Sequence, residues 1–231
     1  MNDKQNEWEK AYQAKNNFLF YPHEEVVRFV SKYIRKRVGM DAFVAIYNLR
    51  ETPRFLDLGC GIGRHVIYAY EQGLDAYGID LSATAVTFAQ NWALIKGIQN
   101  SESHIKQGDI RFLPWEDEYF DVIVSHGVLD SVSFDIAQET VREVHRALTK
   151  GGFFYCDLIS GDDSKHFREY AGEEIVSGSH ENGTIQSYFN YSKICKLLKT
   201  LFDIVEICLD KRENILAHEY SARYHLILSK R

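Results

Sequence analysis

The stretch Phe55-Leu56-Asp57-Leu58-Gly59-Cys60-Gly61-Ile62-Gly63-Arg64-His65 decides how this chain folds. Four residues, apolar but for Asp57, run into three glycines at alternate positions, and an amphipathic run begins at once. That order predicts a buried strand, a tight turn and a helix start. Glycine has no β-carbon, so it can take positive φ and let a ligand lie against the backbone. The free N–H groups of the helix start then face the turn. A nucleotide-like ligand is the expected occupant.

Downstream of the turn, strand and helix patterns alternate. A short helix carries Val66, Ile67 and Tyr70 and closes at Gly73. A second strand, Ala76 to Asp80, leads to a helix capped by Ser82, with Ala85, Ala89, Trp92 and Ile95 on one side and Gly97 at its end. Further strands are predicted at His104 to Asp109, Phe120 to Ser125 and, opened by Gly151-Gly152, Phe153 to Ile159. A helix from Phe134 to Leu148 separates the last two. Alternation of this kind predicts an α/β fold, a doubly wound parallel sheet with helices on both faces.

The flanks read differently. Upstream, Pro22 suits a first helical turn, and Val26, Val27, Val30, Tyr33 and Ile34 follow at helical spacing. Arg35-Lys36-Arg37 then reads as a cationic helix end stopped by Gly39. Phe43, Val44, Ile46, Tyr47 and Leu49 are expected to pack beneath the sheet. Near the other end a helix around Ile194, Leu197, Leu198 and Leu201 precedes two strand-like runs, Ile204 to Leu209 and Tyr224 to Leu228. Their connection lacks a helical pattern, which predicts an antiparallel pair.

Composition bounds the function. At 231 residues, 45% hydrophobic and 26% charged, the chain has the make-up of one soluble globular domain. A formal net charge of -6 argues against a dedicated nucleic-acid binder. No apolar run reaches membrane-spanning length, and the polar start Met1-Asn2-Asp3-Lys4-Gln5-Asn6-Glu7 is not expected to act as a signal peptide. Cys60, Cys156, Cys195 and Cys208 show no C-x-x-C spacing, so neither a metal site nor a disulfide framework is expected. A reducing cytoplasm is the expected location. Oligomeric state is not legible.

The spacing of the glycines separates two ligand classes. The dinucleotide fingerprint G-x-G-x-x-G places its third glycine where Arg64 stands. Asp57-x-Gly59-x-Gly61-x-Gly63 instead resembles motif I of the class I S-adenosylmethionine (SAM)-dependent methyltransferases. Companions extend the resemblance over residues 53 to 160. Asp80 ends the second strand about twenty residues on, where a carboxylate can accept both hydroxyls of a ribose; the bland alternative is a helix-capping Asp before Leu81-Ser82. The resemblance implies that Asp109, in Gly108-Asp109-Ile110, meets the adenine amino group while Ile110 packs on the ring. Ser125-His126-Gly127-Val128-Leu129-Asp130 resembles the segment lining the methionine part and the acceptor. Lys150 stands where the family usually has proline. The terminal strands resemble the family's ending, a seventh strand inserted antiparallel beside the fifth.

The resemblance implies SAM as cofactor, bound by Tyr12, Tyr21, Asp57, Gly59, Gly61, Gly63, Arg64, Asp80, Leu81, Gly108, Asp109, Ile110 and Ser125. Tyr12 and Tyr21 read either as a lid or as staples of the N-terminal arm. Arg64 reads either as a partner for the methionine carboxylate or as a solvated cation. His126 is the candidate general base, with a pocket-lining imidazole as the alternative, and His23 and Asp130 follow it. Residues 1–50 are expected to form an N-terminal helical arm or lid. Residues 51–231 are expected to form the SAM-binding domain, with a cap insertion at about 160–191. That cap offers Arg168, Tyr170, His180, Tyr188 and Asn190 for acceptor contacts. The expected activity is methyl transfer to an oxygen or nitrogen of a small polar metabolite. The alternatives are an NAD(P)-linked oxidoreductase and a catalytically silent, methyltransferase-like scaffold.

Overall fold

The computed structural model describes residues 3–15, 17–47, 50–177 and 182–231. Helix α1 (Asp3–Gln13) is followed by α2 (Glu24–Phe29), which His23 caps by accepting the N–H of Glu25 on its ring. A π-helical turn, Val30–Ile34, ends α2, and β1 (Arg35–Arg37) pairs antiparallel with β2 (Phe43–Ala45). The expected cationic helix end is therefore a strand. Pairing with 43–45 satisfies its backbone, and the guanidinium of Arg35 stacks over Phe43 while donating to the carbonyl of Gly73. Gly39 belongs to the hairpin turn, not to a helix stop. Of the apolar set expected beneath the sheet, Tyr47 is buried, whereas Val44 and Ile46 are exposed on this small hairpin; Leu49 lies outside the described residues.

The main sheet begins with β3 (Arg54–Leu58), followed by α3 (Arg64–Glu71), β4 (Asp75–Asp80) and α4 (Ala83–Ile95). Ser82 caps α4 through its hydroxyl, as its sequence position implies, but Ile95 ends the helix in solvent. A short helix α5 (Ser101–His104) precedes β5 (Ile105–Gln107), shorter than the expected strand. Next come β6 (Phe120–Ser125), α6 (Phe134–Ala147) and β7 (Leu148–Ile159). A two-stranded insertion, β8 (Glu173–Ile175) and β9 (Ile185–Ser187), precedes α7 (Tyr191–Leu198) and the long hairpin β10 (Phe202–Asn214) and β11 (Glu219–Lys230).

Strand order is β10-β11-β7-β6-β3-β4-β5. The five strands from β7 to β5 run parallel, and β11 inserts antiparallel beside β7. Strands buried on both faces need continuous apolar runs, which β6 (Phe-Asp-Val-Ile-Val-Ser) and β3 supply. One core holds Leu56, Ile123, Phe154 and Leu226; the other holds Phe55, Val122, Tyr155 and Ile227. The order reverses between β3 and β6, and ligands of open α/β sheets collect at the carboxyl ends of strands at such a switch point.

Candidate active site

At that switch point the three glycines of the turn take φ of +62°, +53° and +92°. Two of them leave room rather than merely bending the chain. A β-carbon on Gly59 would stand 2.6 Å from a methyl of Val128, and one on Gly61 would stand 2.5 Å from the hydroxyl of Tyr12. Behind them lies a cavity of about 280 Å³ lined by Gly59 to Ile62, Arg64, Asp80, Leu81, Gly108 to Arg111, and His126 to Val128. Trp8, Tyr12 and Leu19 close it from the N-terminal side, and Ile185 is the sole contribution of the 160–191 insertion among the described residues.

Asp80, at the tip of β4, accepts the N–H of Gly61 on one oxygen (2.8 Å) and that of Ser82 on the other (2.9 Å). Burial pushes its carboxyl up to about 6, against the pull of those N–H groups. Each oxygen keeps a lone pair for a ligand hydroxyl. Asp109 lines the far end and is engaged on both oxygens by Arg111, which holds its carboxyl below the usual range despite partial burial. Ile110 flanks it on the cavity wall.

Four histidines gather at the other end. The ring of His126 stacks on His23 at 4.0 Å and meets His65 edge-on at 5.6 Å, and His225 lies 6.0 Å beyond His23. Nδ1 of His126 lies 2.8 Å from Oδ2 of Asp157, with its N–H off the line between them. Among the described residues that buried nitrogen makes no aligned hydrogen bond, and Asp157 is the carboxylate it faces. Asp157 is fully buried; burial would raise its carboxyl, but His126 and Arg223 hold it far below the usual range. Burial and the neighbouring His126 depress His23 to about 4, so it is neutral near pH 7.

The expected site residues divide by place. Tyr12, Gly59, Gly61, Arg64, Asp80, Leu81, Gly108, Asp109, Ile110 and His126 all line the cavity. Gly63 sits behind it, where a β-carbon would press on Ala89 at 3.1 Å, so it serves the packing of α3 on α4. Asp57 and Ser125 are buried beneath the lining, and Asp57 faces Nδ1 of His65 at 3.4 Å. Tyr21 does not join the cavity: its side chain is 84% exposed, and only its carbonyl reaches the site, accepting from Arg64. The expected cap contacts also lie elsewhere. Tyr170 and Tyr188 pack around His166, Asn190 caps α7, Arg168 is exposed, and His180 lies outside the described residues. Asp157 and Arg223 went unread. Asp157 had a signal, an acid within the apolar run Phe153 to Ile159, just as Asp57 interrupts β3.

Comparison with known proteins agrees with this geometry. Residues 56–156 match the family model described as a methyltransferase domain. Over those residues the chain is similar to the class I SAM-dependent methyltransferases. The chain is 29% identical over 147 residues to a malonyl-[acyl-carrier protein] O-methyltransferase of Enterobacter lignolyticus, covering 64% of this chain and 55% of that protein. It is 28% identical over 122 residues to a protein-lysine N-methyltransferase of Saccharomyces cerevisiae, covering 48% and 53%. The chain thus spans about half the length of these curated relatives. In fold it is similar to a SAM-dependent methyltransferase of Methanosarcina mazei, with a TM-score of 0.64 at 22% identity over 79% of this chain and 94% of that one.

SAM is the cofactor of this family, and the residues present fit it. The left-handed glycines open a backbone cradle, Asp80 offers a buried carboxylate to a sugar, and Asp109 with Ile110 offers a polar edge beside an apolar wall. Cys60 lies in the cradle, but burial pushes its thiol well up, which makes it a small packing residue and not a nucleophile.

Proposed function

We propose that this protein transfers a methyl group from SAM to an oxygen or nitrogen of a small polar metabolite, with His126 as general base. The observation that carries the reading is the His126–Asp157 pair at the tip of β6 and β7, on the wall of the cavity that holds the glycine cradle and Asp80. SAM supplies a methyl already activated by its sulfonium. The chain's own residues then have to align the partners, exclude water and take up a proton. Well-aligned systems gain about 7–11 kcal/mol from alignment alone. Closure by Trp8, Tyr12 and Leu19 serves exclusion, so α1 acts as a lid. A hydroxyl or protonated amine must lose its proton, and Nε2 of His126 receives it while Asp157 stabilises the charge that develops on the ring.

A small acceptor fits the closed volume. The cavity lies just below the range of about 300–1,000 Å³ typical of ligand sites, and it must take the cofactor as well. The relatives named above act on protein-borne groups, and such an acceptor would require α1 to move aside. Among the described residues no helix is long and apolar enough to cross a membrane, and the four thiols are free, which suits the cytoplasm.

Calorimetry with SAM, S-adenosylhomocysteine and NAD, followed by incubation with metabolite pools and SAM, tests the proposal. Binding of the first two with release of S-adenosylhomocysteine and a methylated hydroxyl or amine supports it. Tight NAD binding without SAM binding overturns it in favour of an oxidoreductase. SAM binding with no methylated product from any pool favours a silent scaffold.

A further inference from the structure

Hydrogen bonds assign the tautomers of His65 and His23, and a close carboxylate does so for His126. Nε2 of His65 accepts the backbone N–H of His23 at 3.2 Å, so its proton sits on Nδ1, facing Asp57. That ring has no open nitrogen. His23 accepts the N–H of Glu25 on Nδ1, so its proton sits on Nε2. Of the three, only His126 sets Nδ1 within 2.8 Å of a carboxylate and, among the described residues, leaves Nε2 without a partner. The question becomes what holds Asp157 in an ionised, fixed state.

The answer comes from the antiparallel strand. Oδ1 of Asp157 accepts the N–H of Gly127 at 2.7 Å, and Oδ2, besides facing His126, lies 2.9 Å from Nη1 of Arg223. The same Nη1 lies 2.8 Å from Oδ2 of Asp130, which also accepts the N–H of Ile159. Arg223 stands opposite Ile159 in the β11–β7 ladder, so the sheet register delivers the guanidinium between the two acids. Both carboxylates are fully buried. Two buried like charges without the cation cannot both stay ionised. Asp157 carrying a proton would no longer accept from Nδ1, and the ring would lose its fixed tautomer.

We propose that Arg223 is a positioning residue for the His126 base, acting through Asp157 and not on the reactants. The proposal rests on the reading of His126 as base, but its test does not require an acceptor. Protein labelled with nitrogen-15 in its histidines gives long-range proton–nitrogen spectra in which bare and protonated ring nitrogens are distinct. The signals of His126 are identified by their absence in His126→Ala. The groups facing that ring are Asp157 and Arg223 from the sheet and Asp130 from the turn after β6, with His23 stacked on it and His65 edge-on.

In the native protein His126 is expected as a single Nδ1–H tautomer near neutral pH. Arg223→Gln should average the two nitrogen signals toward a tautomer mixture, and Asp157→Asn should do the same. The two substitutions combined should add nothing to either alone, because one acts through the other. Should Arg223→Gln fail to fold, Arg223→Gln with Asp130→Asn removes one carboxylate along with the cation and should give the same spectral change. Native His126 signals in these Arg223 variants, or effects that add to those of Asp157→Asn, would overturn the proposal. Loss of the base role of His126, read from turnover, would leave this tautomer result standing.

Discussion

The hydroxyl of Tyr12 stands 2.5 Å from where a β-carbon on Gly61 would sit. The first helix therefore rests directly on the glycine turn, and one residue serves both the backbone cradle and the N-terminal wall of the cavity. In Gly61→Ala the new methyl must displace Tyr12, and the residue must hold φ near +53°, which costs a non-glycine residue about 1–2 kcal/mol. Folding should survive, while affinity for S-adenosylhomocysteine should fall at least about tenfold, since about 1.4 kcal/mol is tenfold in binding. Calorimetric titration reads this directly. Native affinity in the variant would mean that turn and lid are independent.

Glu9 latches the same helix. Its carboxylate accepts from the hydroxyl of Ser82 at 2.7 Å, from the N–H of Thr84 and from the Thr84 hydroxyl. These groups sit at the N-terminus of α4, where a negative charge contributes about 0.3–1 kcal/mol through the helix dipole. Glu9→Ala should free α1 without unfolding the sheet. Amide exchange should speed up in residues 3–13 and stay unchanged in β3, β6 and β7. Exchange in α1 no faster than native would show that Tyr12 and Trp8 hold the lid by packing alone.

How far the sequence carried the reading depends on the range of the interactions. Alternating apolar and amphipathic runs are local, and they placed β3, β4, β6, β7 and the helices between them. The switch point then follows from right-handed crossovers, and it brings Asp80, Asp109 and the glycines to one rim. What failed was non-local pairing. Arg35-Lys36-Arg37 continues a helical pattern, but its partner strand eight residues away wins through ladder hydrogen bonds. Arg223 reaches Asp130 and Asp157 across β11 and β7, and no local spacing announces that register. Tyr21 shows the reverse error: an aromatic in the right segment whose side chain points to solvent.

Turnover variants should separate chemistry from binding. His126→Ala removes the nitrogen proposed to take the proton, and general-base catalysis contributes about 10²–10⁴-fold. The transfer rate should fall by that order while S-adenosylhomocysteine binds within a few-fold of native. Asp157→Asn should lower the rate too, because the ring loses the partner that orients it. Single-turnover rates with the acceptor found by the metabolite screen give the comparison. A near-native rate in His126→Ala would take this residue out of the mechanism and point to an acceptor that is already an anion.

Asp80 supplies a prediction with a defined pH sign. Its carboxyl is pushed up to about 6 in the free protein, and a sugar's hydroxyls donate to the ionised form. Ligand binding therefore favours loss of the proton. Affinity for S-adenosylhomocysteine should be level above about pH 7 and weaken as pH falls through 6, toward tenfold per unit below it, because each ligand bound must then expel a proton. Asp80→Asn should abolish that slope. It should also weaken binding at pH 8 by about 10- to 100-fold, the range for hydrogen bonds to a charged group of about 1.5–3 kcal/mol. The same substitution disturbs the N–H groups of Gly61 and Ser82, so a thermal melt must accompany it. If the variant folds and keeps the native pH slope, the titrating group lies elsewhere at the site, and the sugar is not held by this carboxylate.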